Sequence, residues 1–174
     1  MMFGLRTVAV PIVGSANSVG SARVALKNAG DVALVEKGRV RWVIMRCPCG
    51  CGDDVFINVD PEQGPSWRLR RDEAGITLFP SVWRDSGCGS HYIVRKGRAY
   101  LFTSSEHRLD WDQPEEATLE KVLGMLSDRE VDFLTISEHA GIDPWEALAV
   151  CRVLVERGRV TEGVGVLRGW FTRA

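Results

Sequence analysis

The cysteines of this chain fall into two short clusters whose spacing is typical of a metal site. Cys47, Cys49 and Cys51 alternate with proline and glycine, and Cys88 precedes His91 by three positions. Thiolates and imidazoles are the ligands that zinc takes in tetrahedral sets. Because alternate residues of an extended strand face the same side, the first cluster can present three sulfurs together. The sequence therefore predicts a zinc site with five candidate ligands for four positions.

Whether this zinc is structural or catalytic depends on how many positions the protein fills. Four protein ligands close the coordination shell and stabilise a small β domain, whereas three leave a position for an activated water. Asp53 follows the first cluster, and Ser90 lies beside His91. Asp53 is the candidate general base toward a metal-bound water, and Ser90 is a candidate polar contact to substrate. A solvated turn or an outer contact to the metal ligands is the alternative role for Asp53.

The residues around these clusters have the sequence pattern of a β domain. Runs rich in valine, isoleucine and aromatic residues alternate with turn sequences at 36–39 and 95–98. Residues 31–110 are therefore predicted to form a β-rich zinc-binding domain, mostly antiparallel, with the cysteine clusters at its turns. Residues 1–30 are expected to be a partly flexible N-terminal lead-in, because 14–21 is rich in glycine, serine and asparagine. Residues 1–13 within it are interpreted as a tail or a first strand.

Helical periodicity follows the β-rich segment. Pro114 can start a first helix, a second is expected over 131–139, and Asp143 with Pro144 forms a strong start signal for a third. Three helices and a short β element over 114–174 resemble a winged-helix domain, so the predicted fold class is α+β. Acidic residues outnumber basic ones, eleven to seven, over 115–174. Such a surface offers little to DNA phosphates, so a protein-interaction or packing role is favoured.

Composition restricts the remaining function classes. The chain has 174 residues, a net charge of −1 and 45% hydrophobic residues, as expected for one large or two small soluble domains. It lacks an apolar run of membrane-spanning length, and its first residues lack the pattern of a signal peptide. Five cysteines without an export signal favour metal-bound thiolates in a reducing cytoplasm over disulfides. Cys151, within an apolar helical stretch, is expected to be a buried small hydrophobe.

An ordered series of motifs resembles a known bacterial family. The series comprises Cys47-Pro48-Cys49-Gly50-Cys51-Gly52-Asp53, Trp67-Arg68-Leu69, Thr77-Leu78-Phe79-Pro80-Ser81 and Cys88-Gly89-Ser90-His91-Tyr92-Ile93-Val94-Arg95. In order and spacing it is similar to the small zinc-binding proteins of the Domain of Unknown Function 6527 family, over about residues 31 to 103. Two positions depart from the family's pattern: Met45 stands where a histidine is frequent, and Asp53-Asp54 stands in place of two glutamates.

The resemblance implies a function in a bacterial ubiquitin-like conjugation system with E1-like and E2-like enzymes. The implied activity is that of a zinc-dependent peptidase that processes a ubiquitin-like protein or removes it from conjugates. The zinc ligands expected for it are Cys49, Cys51, Cys88 and His91, or a set that includes Cys47. One alternative is a non-enzymatic interaction module with closed-shell structural zinc. A transcription regulator with a zinc-stabilised sensor domain is a further alternative, which the acidic C-terminal segment disfavours.

Overall fold

A computed structural model describes residues 6–102 and 113–174. The chain divides into two compact units, Met1–His107 and Arg108–Ala174. His107 lies outside the described residues, while both cysteine clusters lie in the described part of the first unit.

The first unit consists of strands and one short helix. Its elements are β1 (Arg6–Ala9), β2 (Ile12–Ala16), α1 (Val19–Arg23), β3 (Val32–Lys37), β4 (Arg39–Arg46), β5 (Asp54–Asn58), β6 (Arg68–Asp72), β7 (Gly75–Phe79), β8 (Val82–Trp83), β9 (His91–Arg95) and β10 (Arg98–Phe102). One sheet has the strand order β1-β10-β9-β8, a second has the order β2-β3-β4-β5, and β6 pairs with β7. Among these strands only β2 and β3 pair in parallel, so the predicted antiparallel character is confirmed.

Alternation along β3 explains how the first unit is held together. Val32 and Leu34 point into a core that also contains residues of β4, β5, β7, β9 and β10. Ala33 and Val35 point the other way and pack with Ala22 and other apolar residues of the α1 region. Because β3 is buried on both faces, its sequence is an unbroken apolar run rather than an alternating one.

The N-terminal residues take part in both sheets. The sequence placed residues 1–30 in a lead-in ahead of the β domain, whereas the structure pairs β1 with β10 and β2 with β3. Most side chains of these two strands are exposed or half-buried, so they carry little of the apolar alternation that predicts a strand. Residues 1–5 lie outside the described part of the chain.

The second unit contains three helices and a small antiparallel sheet. Its elements are α2 (Glu116–Met125), β11 (Val131–Asp132), α3 (Phe133–Ala140), α4 (Pro144–Glu156), β12 (Val160–Glu162) and β13 (Trp170–Arg173), with the strand order β11-β13-β12. The Asp143 side chain accepts hydrogen bonds from the N–H groups of Trp145 and Glu146, which confirms the predicted N-cap of α4. The α+β class is confirmed, and the winged-helix assignment stays a prediction.

The second unit has its own apolar core. The three helices and the sheet bury residues that include Leu119, Ile136, Val150, Cys151 and Phe171. The prediction that Cys151 is a buried small hydrophobe is confirmed. None of the helices that the structure describes, in either unit, is long and apolar enough to cross a bilayer.

Candidate functional site

The loop after β4 folds back on itself and brings the first three cysteines together. The N–H of Cys47 donates to the carbonyl of Asp53 at 2.8 Å, and the N–H of Gly50 donates to the carbonyl of Cys47 at 3.1 Å. Gly50 and Gly52 have φ values of 92° and 88°, in the left-handed region that glycine adopts without strain. Gly50, between Cys49 and Cys51, and Gly52, after Cys51, therefore allow the tight turn on which the metal prediction depends.

The four sulfurs of the two clusters have the spacing of a tetrahedral metal site. The Sγ atoms of Cys47, Cys49, Cys51 and Cys88 all lie within 4.8 Å of one another. Cys47 Sγ is 3.3 Å from Cys49 Sγ and 3.8 Å from Cys88 Sγ. Zn–S bonds of about 2.3 Å in a tetrahedron place sulfurs about 3.8 Å apart. Four thiolates in this arrangement therefore fit a zinc ion with small adjustments.

The thiols of the cluster differ in how readily they ionise. Burial raises the pKa of the Cys49 thiol to about 12. Burial also opposes ionisation of Cys88, but hydrogen bonds from the hydroxyl and backbone of Ser90, with contributions from other cysteines, outweigh it and lower its pKa to about 6. Since the thiolate is the form that binds metal, Cys88 is ready at neutral pH and Cys49 must release a proton on binding.

Arg84 places a positive charge against the sulfurs. Its Nη1 lies 3.4 Å from Cys88 Sγ, 3.6 Å from Cys51 Sγ and 3.0 Å from Asp53 Oδ2. The hydrogen bond to Asp53 is the main reason that the pKa of Arg84 is raised. Four thiolates around one divalent ion carry a net negative charge, and the guanidinium offsets part of it. The structure thus places Asp53 in an ion pair beside the cluster, and its predicted role as a general base stays a prediction.

The Ser90 hydroxyl also contacts the cluster. Its Oγ lies 3.2 Å from Cys88 Sγ and 3.4 Å from Cys47 Sγ. A hydroxyl at this distance can donate to a thiolate and stabilise it. The predicted contact of Ser90 with substrate stays a prediction, while its contact with two thiols is a feature of the structure.

His91 makes a different contact from the one its spacing suggested. Its Nε2 lies 2.9 Å from Ser81 Oγ, and it is not part of the four-residue group that has metal-binding geometry. Its ring lies between two aromatic side chains, with centroids 4.6 Å from Phe102 and 6.2 Å from Trp83. This geometry favours a set of four thiolates over a set that contains His91.

The pairing of β8 with β9 brings Ser81 to this histidine. Val82 lies opposite Tyr92, and Trp83 lies opposite His91. Val82 and Tyr92 are buried in the core, so the alternating residues Ser81, Trp83 and His91 lie toward the other face of the sheet. The carbonyl of Ser81 accepts a hydrogen bond from Trp67 Nε1 at 3.3 Å, which fixes the backbone just before β8.

Sequence reasoning included Ser81 only as part of the motif Thr77-Leu78-Phe79-Pro80-Ser81. Ser81 and His91 are ten residues apart, a separation that has no characteristic spacing of its own. One sequence pattern could have indicated this pair. Ser81 directly precedes one strand of a hairpin, and His91 begins the other strand. A serine hydroxyl within hydrogen-bonding distance of an imidazole has the geometry of a nucleophile with its general base.

The fold and the site define a small β-rich unit with a cluster of four cysteines and a serine hydroxyl hydrogen-bonded to a histidine. Residues 19–102 match the family model described as "bacterial ubiquitination-like system serine protease (BubE)". The matched segment is just under half of the chain, contains both cysteine clusters, Ser81 and His91, and excludes the second unit. No curated protein and no solved structure matches the chain.

The family match agrees with one part of the resemblance noted from the motifs. It supports the association with bacterial ubiquitin-like systems. It does not confirm the Domain of Unknown Function 6527 label or the zinc dependence of a peptidase.

Proposed function

We propose that the first unit is a serine peptidase that cleaves a ubiquitin-like protein from its precursor or from conjugates. Ser81 is the nucleophile and His91 its general base. The observation that carries this proposal is the distance of 2.9 Å between Ser81 Oγ and His91 Nε2. The description of the matched family supports both the serine chemistry and the ubiquitin-like substrate.

The Ser81–His91 pair can perform acyl transfer in two steps. With the neutral imidazole protonated on Nδ1, Nε2 accepts the Ser81 proton as Oγ bonds to the scissile carbonyl carbon. The same proton then passes to the leaving amine nitrogen as the peptide bond breaks and a Ser81 ester forms. Water hydrolyses the ester with His91 again as base, which restores the serine hydroxyl.

The oxyanion of this reaction needs an N–H donor near the nucleophile. The main-chain N–H of Ser81 makes no hydrogen bond to the residues that the structure describes. It belongs to the nucleophile itself, and we assign it as one donor to the developing oxyanion.

The four cysteines have a structural role in this proposal. A zinc ion held by four thiolates supplies a cross-link and no open coordination position. Cys47, Cys49 and Cys51 follow β4, whereas Cys88 lies in the connection between β8 and β9. The cross-link therefore fixes the hairpin whose register sets Ser81 against His91.

Zinc-dependent hydrolysis is the competing hypothesis from the sequence. It requires an open metal position and a base such as Asp53, whereas the structure brings four thiols together and pairs Asp53 with Arg84. Since both hypotheses predict loss of activity on metal removal, chelation alone does not separate them. Substitutions that retain the metal separate the two hypotheses.

The test is cleavage of a linear fusion between a bacterial ubiquitin-like protein and a reporter. Zinc-loaded wild-type protein should release the reporter, and Ser81→Ala should lower the rate by at least about 10³-fold. Ser90→Ala is the matched control, because it removes the hydroxyl of the residue next to His91 in the sequence, and it should retain cleavage within about tenfold. Cleavage by Ser81→Ala at the wild-type rate would overturn the proposal, and absence of cleavage by every protein would favour a non-enzymatic module.

A further inference from the structure

We infer that the edge of β8 that faces away from β9 binds the scissile segment of the substrate as an added β-strand, with Trp83 as the residue that sets its register. This inference rests on the proposed peptidase function and adds to it the conformation of the substrate. The occupant is an extended, unpaired segment of polypeptide rather than a loop or helix of a folded domain.

The first argument is the direction of the hydrogen-bonding groups on β8. β8 is the last strand in the order β1-β10-β9-β8. The N–H of Arg84 donates to the carbonyl of Ser90 at 2.9 Å, and Val82 lies opposite Tyr92 in the same register. Hydrogen-bonded pairs alternate with non-hydrogen-bonded pairs in an antiparallel ladder. The N–H and C=O of Trp83, which lies between these pairs, therefore point away from β9. No described strand occupies this edge, and within the described part of the chain the Trp67 indole donates a hydrogen bond there only to the carbonyl of Ser81.

The second argument is the exposure of the Trp83 side chain. Trp83 is 71% exposed although its indole is 6.2 Å, centroid to centroid, from the His91 ring. An indole exposed to this degree contributes little to the apolar core of the first unit. Large aromatic side chains with a partly apolar, partly polar surface are common anchors of binding sites. At this position the indole can cover a substrate segment beside the general base.

The third argument is distance along the chain. Trp83 is two residues from Ser81, and an extended strand rises about 3.3 Å per residue. A substrate strand hydrogen-bonded to Trp83 therefore has a carbonyl about two residues further along within reach of the nucleophile. Strand addition of this kind obtains affinity from main-chain hydrogen bonds, so it accepts many sequences but requires an extended conformation. That requirement directs cleavage to an unfolded tail or linker and spares the folded body of the substrate.

The test compares two reactions of the same zinc-loaded protein. A fluorophosphonate needs only the nucleophile and its base, whereas cleavage of a defined mixture of synthetic decapeptides, read by mass spectrometry, also needs the strand-binding edge. Trp83→Ala should lower kcat/KM for the best-cleaved peptide about tenfold, mainly through KM. Its rate of phosphonylation should stay within about threefold of wild type. Phe56→Ala is the matched control, because it removes an exposed aromatic from β5 in the other sheet and should change neither reaction.

A scan of backbone N-methylation across that peptide tests the main-chain pairing. Methylation at the position that donates to the carbonyl of Trp83 should lower kcat/KM about tenfold, whereas its neighbours, which point away from the edge, should have small effects. The inference would be overturned, with the Ser81–His91 pair left intact, by any of three results. These are equal kcat/KM for all methylated peptides, wild-type kcat/KM for Trp83→Ala, or phosphonylation of Ser81 without cleavage of any decapeptide. Absence of phosphonylation at Ser81 would instead contradict the proposed function itself.

Discussion

Ser81 and His91 lie ten residues apart in the sequence, and the register of β8 against β9 places Ser81 Oγ 2.9 Å from His91 Nε2. Cys88, a member of the thiolate cluster, lies in the connection between these strands. The hairpin of β8 and β9 therefore carries the Ser81–His91 pair and one of the four cysteines of the cluster. A histidine whose spacing from Cys88 suggests a metal ligand has, in the structure, a serine as its partner.

Replacing Cys47 by serine should release the metal and destabilise the first unit. Cys47 is buried in the core, and its Sγ lies close to the sulfurs of Cys49 and Cys88. Structural zinc contributes about 10–16 kcal/mol of binding free energy in small domains, so we expect a loss of at least about 3 kcal/mol in the free energy of unfolding. Elemental analysis of bound zinc and chemical denaturation measure the two effects.

Two further variants serve as controls for the ligand set. Cys151→Ser removes a buried thiol of the second unit and should leave one zinc per chain. His91→Ala should also keep the metal, because the imidazole contacts Ser81 rather than the cluster. Loss of zinc from His91→Ala, with retention in Cys47→Ser, would show that the histidine is a ligand and that the four-thiolate assignment is wrong.

Zinc affinity should depend more steeply on pH below about pH 6. The pKa of Cys88 is lowered to about 6, so above that pH it is already a thiolate and releases no proton when the metal binds. Below that pH it is protonated, and one more proton must leave, which raises the slope of log affinity against pH by about one. Competition with a chromophoric chelator across this range measures the slope. Ser90→Ala removes a hydrogen bond that lowers this pKa and should move the break to higher pH; a single constant slope for both proteins would contradict the prediction.

Arg84→Gln should weaken zinc binding without removing the nucleophile. Its guanidinium contacts the sulfurs of Cys51 and Cys88, and loss of such outer contacts costs about 10–100-fold in metal affinity. Asp53→Asn, which weakens the ion pair with Arg84, should have a smaller effect on affinity and should retain cleavage when zinc is saturating. If Asp53 is instead the general base of a metal-dependent reaction, Asp53→Asn will keep its zinc and lose about 10²–10⁴-fold in cleavage rate.

The sequence predicts the features of this molecule that are formed by residues close together in the chain better than those formed by distant residues. The run of Cys47, Cys49 and Cys51 and the α4 N-cap depend on residues close in sequence, so their types and spacing reveal them. The hairpin turns at Gly38 and Gly97 have positive φ values at the expected positions. The Ser81–His91 contact depends on the register of two strands, and no local sequence pattern specifies that register.

The second strand escaped prediction for a related reason, and the sequence left residues 1–13 open between a tail and a first strand. β1 and β2 complete the edges of two sheets through main-chain hydrogen bonds to β10 and β3. Edge strands that keep most of their side chains partly exposed need no regular apolar alternation. The sequence therefore shows a glycine- and serine-rich segment, while the partner strands determine its conformation.

The most direct test of the account is the site of phosphonylation when the zinc-loaded protein reacts with a fluorophosphonate. Tandem mass spectrometry should locate one adduct, on Ser81. The adduct should be absent from Ser81→Ala and should form at least about 100-fold more slowly in His91→Ala, because the base then no longer accepts the serine proton. Ser90→Ala should react as the wild type does. An adduct on another residue, or equal rates for wild type and His91→Ala, would contradict the account.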